Sequence, residues 1–309
     1  MNNKVMNDST LNKNTLNNSV LNIRTINNPI ISRLKTLAGA LAFASFSITT
    51  IAGDNNDVDT KLKSVINSEH RSEKNAARDD FRNPAETLQF FGIRPEMTVV
   101  EIWPGGGWYT EILAPYLKDK GKYIAANFDP DAGVKYYNRR LKEFEDTFVA
   151  NEDIYGDIVT TVFNPPAKTE VAKAGTADLV LTFRNVHNWY IRGDKESVVE
   201  SFKGFYKALK PGGILGVVEH RLPKGMSQEE NKRSGYMRED LVIEWAKQAG
   251  FVLVAESSIN ANDKDMADHP KGVWTLPPSL RLGDENKDKY MAIGESDRMT
   301  LKFAKPAEK

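Results

Sequence analysis

The chain has 309 residues, of which 40% are hydrophobic and 27% charged, with a formal net charge of zero. That length holds one large domain or two small ones, and the balanced charge offers no global attraction to nucleic acid or to an anionic membrane. The absence of cysteine excludes disulfides, thiolate zinc sites, cysteine nucleophiles and a lipidated amino-terminal cysteine.

Residues 1–32 are rich in Asn, with Ser, Thr and scattered Leu and no sustained period, the composition of a disordered leader. Arg33 and Lys35 then precede the uncharged stretch TLAGALAFASFSITTIAG, residues 36–53. A basic flank, an apolar run and small residues at its end are the parts of an export signal, with cleavage near Ala52. Retained, the run nearly reaches membrane-spanning length and would act as an anchor. Its Ala, Ser and Thr content and the polar DNNDVD that follows favour cleavage. The expectation is an exported, periplasmic protein that touches the membrane only through an uncleaved signal. Residues 1–52 are then leader and signal, and 53–309 a single domain.

That domain opens with a charged, helical stretch at 54–82, in which His70 reads as solvated. A short helix follows in NPAETLQFFG. Asn83 is a good N-cap, Pro84 suits the first helical position, Glu86 stands three after the cap, and Gly92 ends the helix. From there strands and helices alternate. TVVEI, 98–102, is a buried-type strand. Residues 108–117 form a helix with Ile112, Leu113, Tyr116 and Leu117 on its apolar side, kinked or shortened by Pro115. KYIAANF, DIVTTVF (157–163) and ADLVLTF (177–183) are the next three strands. Residues 196–209 carry Val198, Val199, Phe202, Phe205, Tyr206 and Leu209 at helical spacing. After KPGG comes the strand ILGVVEH, then a helix at 238–249, and finally FVLVAESS and RMTLKFA. The pattern predicts an α/β fold: a Rossmann-like, doubly wound, seven-stranded sheet, mostly parallel, with helices on both faces and an antiparallel edge strand. The stretch 259–297 is long for a connection in one domain and contains the apolar GVWTLPPSL, which suggests a lid.

The sequence VVEIWPGGGWYTEILAPYL joins a strand, an acid, a glycine-rich turn and a helix. A glycine turn lets backbone approach a ligand, and the helix start behind it offers free N–H groups. In such sheets ligands bind at the carboxyl ends of the strands, where the strand order reverses. This stretch, together with TADLVLTFRNVHNWY and LKPGGILGVVEH, resembles the class I methyltransferases that use S-adenosylmethionine (SAM), over about residues 84–257 and the last strand. More narrowly it resembles a group of exported proteins of that superfamily.

The resemblance implies that Glu101 organises the loop and faces the methionine part of SAM, while Gly105, Gly106 and Gly107 pass beneath the cofactor. It puts Asn127 where an acid normally holds the ribose, with Asp129 two residues on, and Asn164 near the adenine. Arg184 and Asn185 begin the loop that lines the cofactor and substrate pocket. Two residues depart from the pattern. Trp103 replaces the first glycine of the loop, either closing the pocket, stacking on a ligand, or packing under the 54–95 helices. Asn127 replaces the ribose acid.

His187 and His220 fall at the ends of adjacent strands and are candidate catalytic bases; Tyr236 could reach an acceptor from the substrate side, and Trp189 and Tyr190 could wall its pocket. His187, His220 and His269 with Glu219 or Asp268 form a conceivable ligand set, but no two of these histidines have ligand-type spacing, so no metal is assigned. The leading expectation is a SAM-dependent methyltransferase-like enzyme acting on a small or lipid-like acceptor, with no nucleic-acid partner. The alternatives are a non-catalytic exported ligand-binding protein of the same fold and a nicotinamide-dependent oxidoreductase. The latter would need Gly-x-Gly-x-x-Gly with an acid about 20 residues on, and Pro104–Gly107 lacks that spacing.

Overall fold

The computed structural model describes residues 55–307. The expected leader, signal segment and cleavage point lie outside them. Five apolar segments form the parallel part of the sheet: β1 (Thr98–Ile102), β2 (Lys122–Asn127), β3 (Val159–Val162), β4 (Ala177–Phe183) and β5 (Leu209–Leu222). Val100 pairs with Ile124 of β2 on one side and Val180 of β4 on the other. The two-residue β6 (Met237–Arg238) pairs in parallel with the carboxyl end of β5, and β7 (Val252–Ser257) and β8 (Arg298–Ala304) finish the set. The order is β3-β2-β1-β4-β5-β8-β7, so the winding reverses between β1 and β4. This is the doubly wound arrangement the alternating pattern predicts.

The antiparallel pairings sit at one side of the sheet. β8 enters between β5 and β7, antiparallel to both. β7 therefore ends, and β8 begins, at the same edge of the sheet as the carboxyl ends of β1, β4 and β5. No helical crossover is needed, and the intervening 259–297 stretch is delivered to that edge.

The helices cover both faces. α1 (Asn55–Ile66), α2 (Glu73–Ala76), α3 (Pro84–Phe91) and α4 (Thr110–Leu117) precede β2. α5 (Lys135–Phe144), continued by a wider turn through Val149, and α6 (Glu152–Tyr155) precede β3. α7 (Val186–Ala208), α8 (Glu239–Gln248) and α9 (Lys287–Ile293) complete the chain. Strand residues alternate between faces. Val100, Ile102 and Val180 pack with Phe202, Phe205 and Trp245, whereas Val99, Leu179 and Leu181 pack with Leu62, Leu88 and Leu113. Among the described residues no helix is long and apolar enough to cross a membrane.

Several local expectations are corrected. α3 starts at Pro84 and stops at Gly92, whose φ is +81°, but Asn83 makes no side-chain cap. Its Nδ2 instead donates to the Ile259 carbonyl at 2.8 Å. α4 runs straight through Pro115. A proline there denies the Glu111 carbonyl its usual donor, and His70 supplies one, Nε2 to Glu111 O at 2.7 Å. His70 is thus a structural donor, not a solvated side chain. α7 begins immediately after Asn185, where a loop was expected, and is broken at Gly193 and Asp194, which leave helical φ and ψ. α5, KYYNRRLKEF, is an element the sequence reading missed, although Tyr137, Leu141 and Phe144 recur at helical spacing with charged residues between them.

Candidate functional site

A cavity of about 1000 Å³ opens at the carboxyl edge of the sheet, across the reversal between β1 and β4. Trp103 to Gly106 form one side. Arg184, Asn185, His187 and His220 come from the ends of β4 and β5. Phe128, Tyr137 and Phe144 stand on the α5 side, and Arg78 and Arg82 arrive from the segment before α3. Trp274, Pro277, Pro278 and Arg281 of the 259–297 stretch close the opposite wall, so the apolar GVWTLPPSL serves this cavity.

The loop is shaped by glycines in the left-handed region, Gly105 at φ +63° and Gly107 at φ +76°. They do different work. A Cβ on Gly107 would stand 2.0 Å from the Phe148 ring, whereas one on Gly106 would meet nothing within 4 Å. Gly107 allows the α5 continuation to lie on the loop, and Gly106 presents open backbone to the cavity. Gly105 and Gly106 line the cavity; Gly107 does not. Asn185 secures the junction, Nδ2 donating to the Ile102 carbonyl at 2.8 Å.

Glu101 shares the face of β1 that carries Val99 and does not line the cavity. Its carboxyl accepts from Tyr123 Oη at 2.6 Å and from Thr110 Oγ1 at 3.1 Å. It is 3% exposed, and burial pushes its pKa up to about 7 against the hydrogen bonds that favour the charge. It ties the β1 end to the start of α4 and does not face the cavity, which corrects the expected contact with the methionine part of a cofactor.

Trp103 is 6% exposed and holds φ +44°, a strained value for a bulky residue. Its backbone N–H donates to Ala126 O at 2.8 Å, and its indole Nε1 donates to Phe163 O at 2.9 Å. Phe128, Tyr137, Phe163 and Trp189 surround it at ring separations of 4.9 to 6.2 Å. The indole thus crosses the ends of β2 and β3 and packs on the α7 face of the sheet, not under the 54–95 helices. Beside it, the expected adenosine contacts are turned away. Asn127 Oδ1 accepts from the adjacent Phe128 N–H at 2.8 Å. Asp129 accepts from Asn164 Nδ2 at 3.1 Å and from Lys168 Nζ at 2.9 Å, and this lysine lowers its pKa. Asn127, Asp129 and Asn164 do not line the cavity, so the structure does not present them to a cofactor there.

His187 and His220 are brought together, with ring centroids 5.3 Å apart. Glu219, fully buried, accepts from His187 Nδ1 at 2.9 Å, His187 N at 3.2 Å and His220 N at 2.8 Å. A carboxylate only accepts, so Nδ1 of His187 carries a hydrogen, and in the neutral ring Nε2 is the acceptor. Ser296 Oγ accepts from Arg298 Nε at 3.3 Å and lies 2.5 Å from His220 Nδ1. Burial, then the neighbouring His187, Arg298, Arg184 and Arg82, push the His220 pKa well below its ordinary value, so its ring is neutral and can serve a ligand as a hydrogen-bonding group.

Tyr236 is fully buried and commits its hydroxyl to Asp265, at 2.9 and 3.1 Å. Burial and that carboxylate raise its pKa. It does not line the cavity, and neither do Trp189 and Tyr190, which are core residues; all three expectations are corrected. His269 bonds the same Asp265 at 2.8 Å and lies outside the cavity. Among the described residues, His187, Glu219 and His220 offer ligand-type atoms within 4.8 Å of one another. Both Glu219 oxygens already accept N–H bonds, and arginines crowd His220. The set suits a hydrogen-bonded acid–base pair better than a cation.

Sequence reasoning missed the arginines. Glu295, 4% exposed, accepts from Arg78 Nε at 2.6 Å, Arg82 Nε at 3.2 Å and Arg298 Nη2 at 2.6 Å. Against the cost of burial, Arg298, Arg82 and Arg78 hold its pKa down at about 2. The one available signal was a charged residue, Arg298, opening a strand in which Met299, Leu301 and Phe303 are core-forming.

No family model and no curated protein matches the chain. Solved structures resemble it in the course of the backbone. A SAM-dependent methyltransferase from Aquifex aeolicus is 15% identical with a TM-score of 0.47, covering 80% of this chain and 98% of its own. The cyclase SpnF is 12% identical with a TM-score of 0.49, covering 82% and 94%. An arsenic(III) S-adenosylmethionine methyltransferase from Chlamydomonas reinhardtii is 12% identical with a TM-score of 0.46, covering 80% and 73%. At such identities none of them assigns an activity to this chain.

The cavity's own residues decide how well SAM suits it. The open face of Gly106 and a volume within the ordinary range for ligand sites accommodate a molecule of this size. On the α5 side Phe128, Tyr137 and Phe144 border the cavity but are almost wholly buried, and Tyr136 is the exposed ring there. The ribose acid has no counterpart facing the cavity. SAM fits in size, with weaker purchase on its ribose.

Proposed function

We propose that the cavity is the active site of a SAM-dependent methyltransferase acting on a small acceptor. One observation carries the reading: His187, held by the buried Glu219 at the end of β5, lines the same cavity as the glycine loop. Bound SAM would supply an electrophilic methyl group; the glycine loop at Gly105 and Gly106 would hold it. His187 Nε2 would take the acceptor's proton, with Glu219 fixing the tautomer and favouring the imidazolium that forms. His220, neutral beside it, would orient the acceptor through a hydrogen bond. Trp274, whose ring lies 6.0 Å from His187, would help exclude water. The deciding measurement is calorimetric titration of the full-length protein with SAM and S-adenosylhomocysteine. Binding at micromolar concentrations is expected, and no heat with either at high micromolar concentrations would sink the reading.

A second reading, ligand binding without methyl transfer, is favoured by the indole of Trp103 over the β2 and β3 ends. It predicts normal affinity for a ligand in His187→Ala and no methyl transfer from labelled SAM in the wild type. We also propose export, on the strength of the 36–53 segment; an amino terminus at or near Gly53 in the mature protein is the expected result of sequencing it, and an intact leader would overturn it.

A further inference from the structure

The arginine cluster is unbalanced. Arg78, Arg82 and Arg298 share the single carboxylate of Glu295, and Arg184, which lines the same cavity, has no carboxylate partner among the described residues. Four guanidinium charges therefore stand against one carboxylate, an excess of three. Arg82 is only 3% exposed. Its Nη1, and that of Arg184, are buried without a hydrogen-bond partner. Buried donors without partners cost about 1 to 3 kcal/mol each, more when charged. Arg184 is moreover held at φ +61°, a conformation that costs about 1 kcal/mol or more for a non-glycine residue. The charges are near enough to disfavour one another: Arg184 lowers the pKa of Arg82, after burial itself, and burial followed by Arg298 brings that of Arg184 down to about 10. Arg82 is braced in place, its guanidinium 4.7 Å from the centre of the Trp108 ring, so little side-chain entropy is left to lose on binding.

We propose that Arg82 and Arg184, with Arg78 beside them, form an oxyanion-binding subsite that grips a carboxylate or phosphate group on the acceptor. Guanidinium groups suit both through paired N–H donors. Arg184 immediately follows β4 and Asn185 leads directly into His187, so an anion held by Arg184 lies one turn of chain from the accepting imidazole. The acceptor would be a small acidic molecule whose charged end meets the arginines and whose reacting O–H or N–H meets His187 and His220. This rests on the methyltransferase reading for the chemistry but not for the binding.

The test uses the full-length protein and inorganic phosphate, followed by tryptophan fluorescence, since Trp108 and Trp274 line the cavity. Saturable quenching is expected. Arg184→Gln, which breaks no side-chain pairing, should weaken it about tenfold or more, while Lys203→Gln on the surface of α7 should not change it. Arg82→Gln serves as a second probe if it folds, with circular dichroism as the check. No saturable effect of phosphate, sulfate or acetate on the wild type would overturn the proposal, as would unchanged phosphate affinity in a folded Arg184→Gln variant. A third arm separates the sources of the anion. S-adenosylhomocysteine binding that is unaffected by saturating phosphate supports an acceptor site. Competition between the two means that the arginines hold the cofactor's own carboxylate, and overturns it. Phosphate binding without any S-adenosylhomocysteine binding keeps the subsite and sinks the methyltransferase reading.

Discussion

The indole Nε1 of Trp103 donates to the carbonyl of Phe163, 60 residues away, at 2.9 Å. This bond fixes a large side chain across the ends of β2 and β3 from a loop position whose left-handed φ favours glycine. The strain is offset by the bond and by four aromatic neighbours, and the consequence is spatial. The cavity lies over β1, β4 and β5, and the β2 and β3 ends are capped by protein. A ligand here is held from the loop, the arginines and the histidines more than from the strand-two acid position.

Glu101 gives a pH-dependent stability. Its ordinary pKa is 4.5 and its folded value about 7, so the folded state binds the proton more tightly. The stability this proton confers is fully present below about pH 4.5 and is lost as pH rises through 7. Glu101→Gln keeps an oxygen for the Tyr123 hydroxyl and removes the charge. It should gain on the wild type between pH 5 and pH 8, by up to about 3 kcal/mol at the upper end. Thermal melts of both proteins across that range check it, and a constant difference at all pH values would count against a titrating Glu101.

Glu295 runs the other way. Its folded pKa of about 2 lies below the ordinary 4.5, so its contribution is present above pH 4.5 and lost as pH falls toward 2. Glu295→Gln leaves Arg78, Arg82 and Arg298 without their shared carboxylate. Breaking a buried pair from one side typically costs about 3 to 5 kcal/mol, and urea unfolding at pH 7 should record a loss of that order. A loss under about 1 kcal/mol would mean that water already screens the cluster.

The loop glycines should separate stability from binding. Gly107→Ala forces a Cβ to 2.0 Å from Phe148 at φ +76°, and should cost about 2 kcal/mol or more. Phe148→Ala added to it should recover part of that, a coupling a double-mutant cycle measures. Gly106→Leu meets no neighbour within 4 Å. It should melt within a few degrees of the wild type while losing ligand binding, because the added side chain enters the cavity. Intact binding in a folded Gly106→Leu protein would remove the loop from the site.

The sheet was legible because β1, β4 and β8 are short apolar runs between turn residues, and the observed strands match those runs to within a few residues except at β5, which extends over Leu209–Leu222. The strand ends also announced His187 and His220 at one edge. What sequence could not carry was direction. The resemblance placed Glu101 toward the cofactor, yet period-two alternation puts it on the Val99 face, with Tyr123 and Thr110. Tyr236 and Asp129 sit near the site in the chain but are claimed by Asp265 and Lys168, partners 29 and 39 residues off. Arg78 and Arg82 were illegible for the same reason. Their shared partner Glu295 is 217 and 213 residues away, and nothing in a local pattern marks a buried cluster assembled over that separation.

Trp103→Gly returns the loop to the glycine found at this position in the proteins it resembles, and it tests whether the indole is the obstacle to adenosine. Removing a buried tryptophan costs about 3 to 5 kcal/mol, and the Phe163 carbonyl loses its donor. Glycine at φ +44° recovers some backbone strain, so urea unfolding should show a net loss of about 2 to 4 kcal/mol. S-adenosylhomocysteine should bind about tenfold more tightly or better, since space opens over the β2 and β3 ends beside Phe128 and Tyr137. Trp103→Phe keeps an aromatic ring there and loses only the hydrogen bond. It should cost about 1 kcal/mol and leave affinity unchanged. If folded Trp103→Gly binds no better than the wild type, the weak point lies instead at Asn127, whose side chain is turned onto the Phe128 N–H, and Asn127→Asp becomes the variant that must gain affinity.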